Sequence, residues 1–367
     1  MRFVVARRSG RRGEGLGNEM LPWAKGWIAS QVLDARLIGP SWGLNRRGYF
    51  RNFRTSRLDF LYEDLFAHLP HHAFTQQRYL DTGEIDFGKA IQKWATKEGI
   101  TQNKAFIVTV DGMYGGYPSI RSARPFLWAK LLDSRDALQN QYEIASTLDR
   151  DKLFVTVHMR LGSGFETLPE GESSRGKVNL KIPVEWYLSV CKSIRDEFGD
   201  RVQFHFFTDQ YSPAFDRAVS AFNPGQPRQT GLTECSDLLL MSQADLRVCS
   251  LSSYSLISCF LSGGPYLWYE PQLTYLDGNY SLWGMEDAQQ SAGSPTRQSL
   301  TLMKSIRPGS LWESGFRGYA MDTGSALPHG LVEQLQRRLI ANNRSASLLE
   351  YGCLPDWTLR HESSVVI

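Results

Sequence analysis

Hydrophobic positions along this chain alternate between short β-branched runs and longer stretches with helical spacing. The first run, RFVVA at 2–6, predicts a strand. RRSGRRGEGLGNE (7–19) follows, and its glycines at 10, 13, 15 and 17 predict a loop. Beyond Asn18, EMLPWAKGWIASQVLDA places apolar residues at 20, 23, 24, 27, 28, 32 and 33, the spacing of a helix face. Pro22 is compatible with that helix only near its start. A strand, a glycine-rich loop and a helix in succession aim backbone N–H groups and a positive dipole end at whatever occupies the loop. Further helices are predicted near 57–68, 86–98 and 135–148, with an apolar strand at 105–110.

From 151 onward the pattern is more regular. KLFVTVHM, VQFHFFTD, DLRVCS and PYLWY read as strands, separated by the helical segments PVEWYLSVCKSIRDEFG, DLLLMSQA and SSYSLISCFLS. Such alternation predicts a parallel α/β sheet, and ligands of such sheets bind outside the carboxyl ends of the strands. Here three strand ends carry His158 with Arg160, Thr208 with Asp209, and Ser250 with Ser252 and Ser253. Residues 270–330 show no periodic pattern, and HGLVEQLQRRLIANN predicts a last helix.

Composition narrows the classes. A chain of 367 residues, 42% hydrophobic and 22% charged, suits two globular domains. No apolar run approaches the ~18 residues of a membrane span, and MRFVVARRSGRR lacks a signal-peptide core. The cysteines at 191, 235, 249, 259 and 353 are odd in number and show no C-x-x-C pair, so the expectation is reduced thiols in a cytoplasmic protein. Net charge is only +3, yet residues 1–57 hold twelve Lys and Arg against three Asp and Glu. That surplus suits either a solvated face or a phosphorylated, polyanionic ligand. Nucleic acid is not the expected partner, because no basic strand is interleaved with aromatics and no recognition-helix pattern occurs.

His158 and Arg160, two apart on an extended strand, share a face. The forked guanidinium suits phosphate oxygens, or else an interior carboxylate. Ser250, Ser252, Ser253 and Ser255 stand at a strand-to-helix junction, where they could hold a phosphate or simply cap the helix. Asp209 could accept from a base or sugar, or cap the next helix. The phosphate-loop signature G-x-x-x-x-G-K-[ST] is absent, and no His/Cys cluster has metal spacing.

Taken in order, these peptides resemble those of the fucosyltransferase superfamily that joins the α1,2-, α1,6- and protein O-fucosyltransferases. VHMRLGS is similar to its His-x-Arg-Arg-x-Asp peptide, FFTDQ to its strand-terminal Thr/Ser-Asp, and DLLLMSQADLRVCSLSSYS to its third segment. GEGLGNEM resembles its glycine-rich N-terminal loop. The resemblance implies a GT-B-like fold of two Rossmann-like α/β domains facing a cleft. The expected boundaries are 1–150 for an acceptor-side domain, 151–330 for a nucleotide-sugar-binding domain, and 331–367 for a C-terminal helix and tail. It implies an inverting, metal-independent glycosyltransferase that moves a sugar, L-fucose first, from a GDP-sugar to a carbohydrate or other hydroxyl acceptor, with no cofactor. By the same resemblance Arg160 grips the diphosphate and Glu14 is the catalytic base, with Glu19 and Asp111 in reserve. Donor binding falls to His158, Gly15, Gly17, Asn18, Asp209, Ser252, Ser253 and Ser255, and Asp237 and Asp245 do partly structural work. Leu161 and Ser163 depart from the pattern, standing where a second arginine and an aspartate are usual. Arg7, Arg8, Arg11, Arg12, Arg175 and Lys177 are candidate replacements for the lost donor. The departures leave two alternatives open: another nucleotide sugar, or a catalytically silent nucleotide- or glycan-binding protein.

Overall fold

The structure is a computed structural model describing residues 1–7, 15–40, 42–135, 148–149, 151–162, 164–174, 177, 180–226, 228, 234–262, 264–272, 275–276, 279–280 and 318–340. These residues group into two compact units, one holding 1–135 and the other the described residues from 148 onward. Each has an α/β architecture on a fully parallel main sheet.

In the first unit, β1 (Arg2–Ala6) is followed by α1 (Leu16–Val32), β2 (Arg36–Ile38), β3 (His71–Phe74), α2 (Phe87–Lys97), β4 (Phe106–Val110) and α3 (Arg124–Leu132). The strand order is β2-β1-β4-β3. All five β4 side chains are buried, as are four of the five in β1. Helix α1 packs hard on the sheet. A Cβ at Gly26 would sit 2.7 Å from the Ala6 Cβ and 2.9 Å from Leu37 Cδ1, so only glycine permits that approach. Asp86 starts α2 by accepting from Lys89 N at 2.8 Å, as its place before an apolar-periodic segment suggests.

Some boundaries differ from the sequence reading. Helix α1 begins at Leu16, so Gly17 and Asn18 lie in its first turn rather than in the loop. Gly15 is the N-cap in an extended conformation, and its carbonyl accepts from Asn18 N and Glu19 N. Pro22 consequently sits inside the helix. The expected helix at 57–68 is a 3₁₀ turn at Asp59–Leu61 joined to one helical turn, Tyr62–Leu65. Strands β2 and β3 and helix α3 escaped the pattern. The two strands are short, and of their seven side chains only Ile38 and Phe74 are fully buried. Nearly all of the segment expected as a helix at 135–148 lies outside the described residues.

The second unit contains β5 (Leu153–Met159), α4 (Val184–Phe198), β6 (Val202–Thr208), α5 (Pro213–Phe222), α6 (Glu234–Gln243), β7 (Leu246–Val248), α7 (Ser253–Ser262), β8 (Tyr266–Tyr269), β9 (Gly318–Met321) and α8 (His329–Ile340). Its strand order is β6-β5-β7-β8-β9. In order of appearance that is 2-1-3-4-5, a doubly wound arrangement that reverses direction between β5 and β7. All seven β5 side chains are buried. The core joins Val155 and Val157 to Trp186, Val190 and Ile194 of α4 and to Leu331 and Leu335 of α8.

The edge strand β6 is closed by side chains. Gln226 accepts from Phe206 N and donates to Phe206 O, both at 2.7 Å, and Asn223 Nδ2 donates to Phe204 O at 2.7 Å. A bidentate glutamine thus stands where a neighbouring strand would add its ladder bonds.

Candidate active site

The strand order reverses between β5 and β7, and doubly wound sheets bind ligands at the carboxyl ends of the strands at such a reversal. His158, next to last in β5, is buried at this reversal. Its Nδ1 lies 2.7 Å from Ser255 Oγ and 3.0 Å from Ser250 Oγ. Ser252 accepts from Ser255 N at 3.2 Å and is bonded by Ser250 Oγ at 3.3 Å, so it caps α7. The capping role weighed for Ser252 is therefore present. Ser253 is the first residue of α7 and half-buried. Burial, followed by the positive Arg160 nearby, holds the His158 imidazole down at about 3, so the ring is neutral. It works as a fixed hydrogen-bonding post between two strand ends.

Arg160 and Asp209 stand at the ends of neighbouring strands. Arg160 Nε lies 3.3 Å from Asp209 Oδ2, and the guanidinium carbon is 4.9 Å from the Phe165 ring centre. Nε is itself buried without a properly aimed hydrogen-bond acceptor, so this contact is an ion pair by distance rather than a hydrogen bond. The side chain keeps 26% of its exposure, and its Nη nitrogens make no hydrogen bond among the described residues. The interior-carboxylate alternative is thus realised on one edge of the guanidinium only.

Asp209 is occupied by the protein itself. Its Oδ1 accepts from Leu161 N at 2.8 Å and from Gly162 N at 3.0 Å, and Oδ2 lies 3.1 Å from the same Gly162 N. A Cβ at residue 162 would fall 2.0 Å from Oδ2, so any larger residue must push the carboxylate aside. In this geometry the carboxylate latches the loop after β5 and shares one edge of Arg160. The departure at Leu161 also has a physical reason, since this side chain packs against the hydrophobic core of its unit. Ser163, Arg8, Arg11, Arg12 and Arg175 lie outside the described residues. Arg7 is exposed, and Lys177 pairs with Glu172.

In the first unit, Glu14 lies outside the described residues, while Gly15, Gly17 and Asn18 form the start of α1. Glu19 is fully buried and accepts from Trp42 Nε1 at 3.1 Å. Asp111 is exposed just beyond β4. Beneath it lies Lys25, fully buried. Its Nζ donates to Gly112 O at 3.0 Å and Asp111 O at 3.4 Å and lies 3.3 Å from the Tyr114 ring centre. Burial drives its pKa well below the ordinary lysine value, the Asp111 carboxylate opposing.

The sequence reading missed Lys25 and also Arg247. The latter is fully buried, and its Nη groups donate to Met241 O, Ala244 O and Pro265 O at 3.3, 3.0 and 2.9 Å. A charged residue within an otherwise apolar helix face or strand was the available signal in both cases. Asp245 does structural work: it accepts from Phe154 N at 2.7 Å and pairs with Arg338 Nε at 2.8 Å. Asp237 lies in the first turn of α6. Among the described residues no group of three or more His, Cys, Asp or Glu is placed to hold a metal ion. None of the described helices is long and apolar enough to cross a membrane.

No family model matches the sequence, and no curated protein does so. Among solved structures, POFUT1, a protein O-fucosyltransferase, is similar in its complex with GDP-fucose and in its apo form. Each comparison has 13% identity and a TM-score of 0.37. Each covers 71% of this chain, with 93% of the GDP-fucose complex and 94% of the apo form.

Proposed function

We propose that this protein is a glycosyltransferase that takes a sugar, L-fucose first, from a GDP-sugar and transfers it to a hydroxyl acceptor with inversion and without a metal. The observation that carries the reading is the juxtaposition at the β5/β7 reversal. There His158 at the end of β5 is bonded to Ser250 and Ser255 at the start of α7, and two residues on, Arg160, paired through Nε with Asp209, keeps its Nη edge uncommitted. A leaving nucleoside diphosphate develops negative charge, which a fixed guanidinium and the positive end of a helix dipole meet without reorganisation. The order of the four peptides along the chain supports the choice of donor.

In this mechanism the acceptor oxygen forms a bond to the anomeric carbon from the face opposite the diphosphate, as the carbon–oxygen bond to phosphate breaks. Glu14 takes the acceptor's proton. His158, Ser250, Ser252 and Ser255 keep the strand-to-helix junction in one arrangement, and Ser253 and the first N–H groups of α7 receive phosphate oxygens. Asp209 and Gly162 hold Arg160 in position.

Calorimetric titration with GDP and GDP-fucose, followed by nucleotide release with and without acceptor, tests the reading. Binding and GDP release that persist in chelator, and that fall together in Arg160→Ala, are the expected result. Undiminished GDP affinity and turnover in that variant overturn it. A second reading, a silent nucleotide- or glycan-binding protein, is favoured by Leu161, whose core packing removes one anion donor. It predicts GDP binding with no release of GDP from GDP-fucose, even in slow hydrolysis.

A further inference from the structure

We infer that the surface formed by residues 42–58 of the first unit is a docking site for an anionic phospholipid bilayer. This inference is independent of the proposed reaction. Five arginines, at 46, 47, 51, 54 and 57, are exposed there, and the sequence between 42 and 58 contains no acidic residue. Two of the side chains converge: the guanidinium carbons of Arg51 and Arg57 lie 5.4 and 5.7 Å from the centre of one ring, that of Phe50. Arg54 approaches Asp133 at 3.9 Å, a loose and exposed pair that leaves the patch strongly positive.

Two leucines distinguish this patch from a merely solvated basic face. Leu44 is 52% exposed and Leu58 58%. The turns Trp42–Leu44 and Asp59–Leu61 pack against each other, so the chain at Leu44 runs near the start of the second turn, which Leu58 immediately precedes. The segment is anchored by its aromatic side chains. Trp42, Tyr49 and Phe53 are buried and in ring contact, and the Trp42 indole is bonded to buried Glu19. Exposed aliphatics beside arginines match the boundary between headgroups and acyl chains, where leucine enters the apolar layer and guanidinium groups meet lipid phosphates.

A nucleic acid fits less well. The aromatics of this segment are buried, or in the case of Phe50 flanked by two guanidinium groups, so none presents a free face for stacking a base. Exposed leucines would find no partner on a phosphate backbone.

The test is co-sedimentation of the full-length protein with phosphatidylcholine vesicles, with and without a minority of phosphatidylserine, at low and raised salt. The expected result is binding only to the phosphatidylserine vesicles, declining with salt. Arg51→Glu with Arg57→Glu should weaken it about tenfold or more. Leu44→Ser with Leu58→Ser should weaken it while leaving the salt dependence. Equal binding to both vesicle types, unchanged binding by either double variant, or tight binding to a single-stranded oligonucleotide with none to vesicles overturns the inference. Melting temperatures establish that the variants fold, and the wild-type salt and lipid comparisons decide the matter even if one does not.

Discussion

At the scale of single residues, Arg160 and Asp209 divide the work at the end of β5. The ion pair fixes one edge of the guanidinium, and the bonds from Leu161 N and Gly162 N fix the carboxylate. Replacing Arg160 by Ala is expected to lower kcat by ~10²–10³, the usual effect of deleting one transition-state donor, with the melting temperature nearly unchanged. Gly162→Ala places a methyl group on Asp209 Oδ2 and must displace the latch. We expect it to lower stability by roughly 1–3 kcal/mol through the carboxylate and amide bonds it disrupts, as read by urea denaturation, and to weaken GDP binding at the same time. Glu14→Gln should abolish transfer while leaving GDP affinity intact; loss of both would make Glu14 a binding element.

At the scale of elements, α7 and β6 depend on side chains that replace missing backbone partners. Ser252 satisfies one of the unpaired N–H groups at the start of α7, and its removal in Ser252→Ala is expected to destabilise by about 1 kcal/mol. Ser252→Asn should restore most of that loss. Gln226 completes the edge of β6 at Phe206, so Gln226→Ala leaves a backbone donor and acceptor without partners. A loss of about 2 kcal/mol in a chemical denaturation series is expected, together with a greater tendency to aggregate through the opened edge. The α7 cap was visible in the sequence as a serine cluster before an apolar helix. The Gln226 closure was not, because sequence carries no indication of which strand lies at an edge.

At the scale of the whole molecule, several buried bases bias stability in one direction. Burial lowers His158 to about 3 and His205 to about 4, while both titrate near 6.5 when unfolded. The unfolded chain therefore binds more protons between those values. Stability from the two rings is full above about pH 6.5 and is lost as pH falls toward 4. At about 1.4 kcal/mol per pH unit for each ring, the loss amounts to several kcal/mol. Denaturation midpoints measured from pH 7 to pH 4 should fall steeply, and His205→Phe should flatten the slope. Lys25, depressed by burial, adds a separate rise in stability from its lowered pKa up to about 10.5, and Lys25→Met should remove that rise.

The parallel strand–helix alternation of the second unit, the β1–loop–α1 succession of the first, and the strand-terminal positions of His158, Arg160 and Asp209 all follow from the sequence. Each rests on local spacing: period two buries a strand, period 3.6 buries a helix face, and polar residues after an apolar run mark a strand end. Only the tertiary structure decided the 2-1-3-4-5 order, because strand adjacency is a long-range pairing that no local window encodes. That order brings the ends of β5 and β7 together and sets His158 against Ser250 and Ser255, which lie 92 and 97 residues away along the chain. It also packs Leu161 against the core, commits Asp209 to the loop after β5 and leaves one edge of Arg160 toward solvent. Residue type supplied the available chemistry, and packing selected which polar atoms were used up inside the fold.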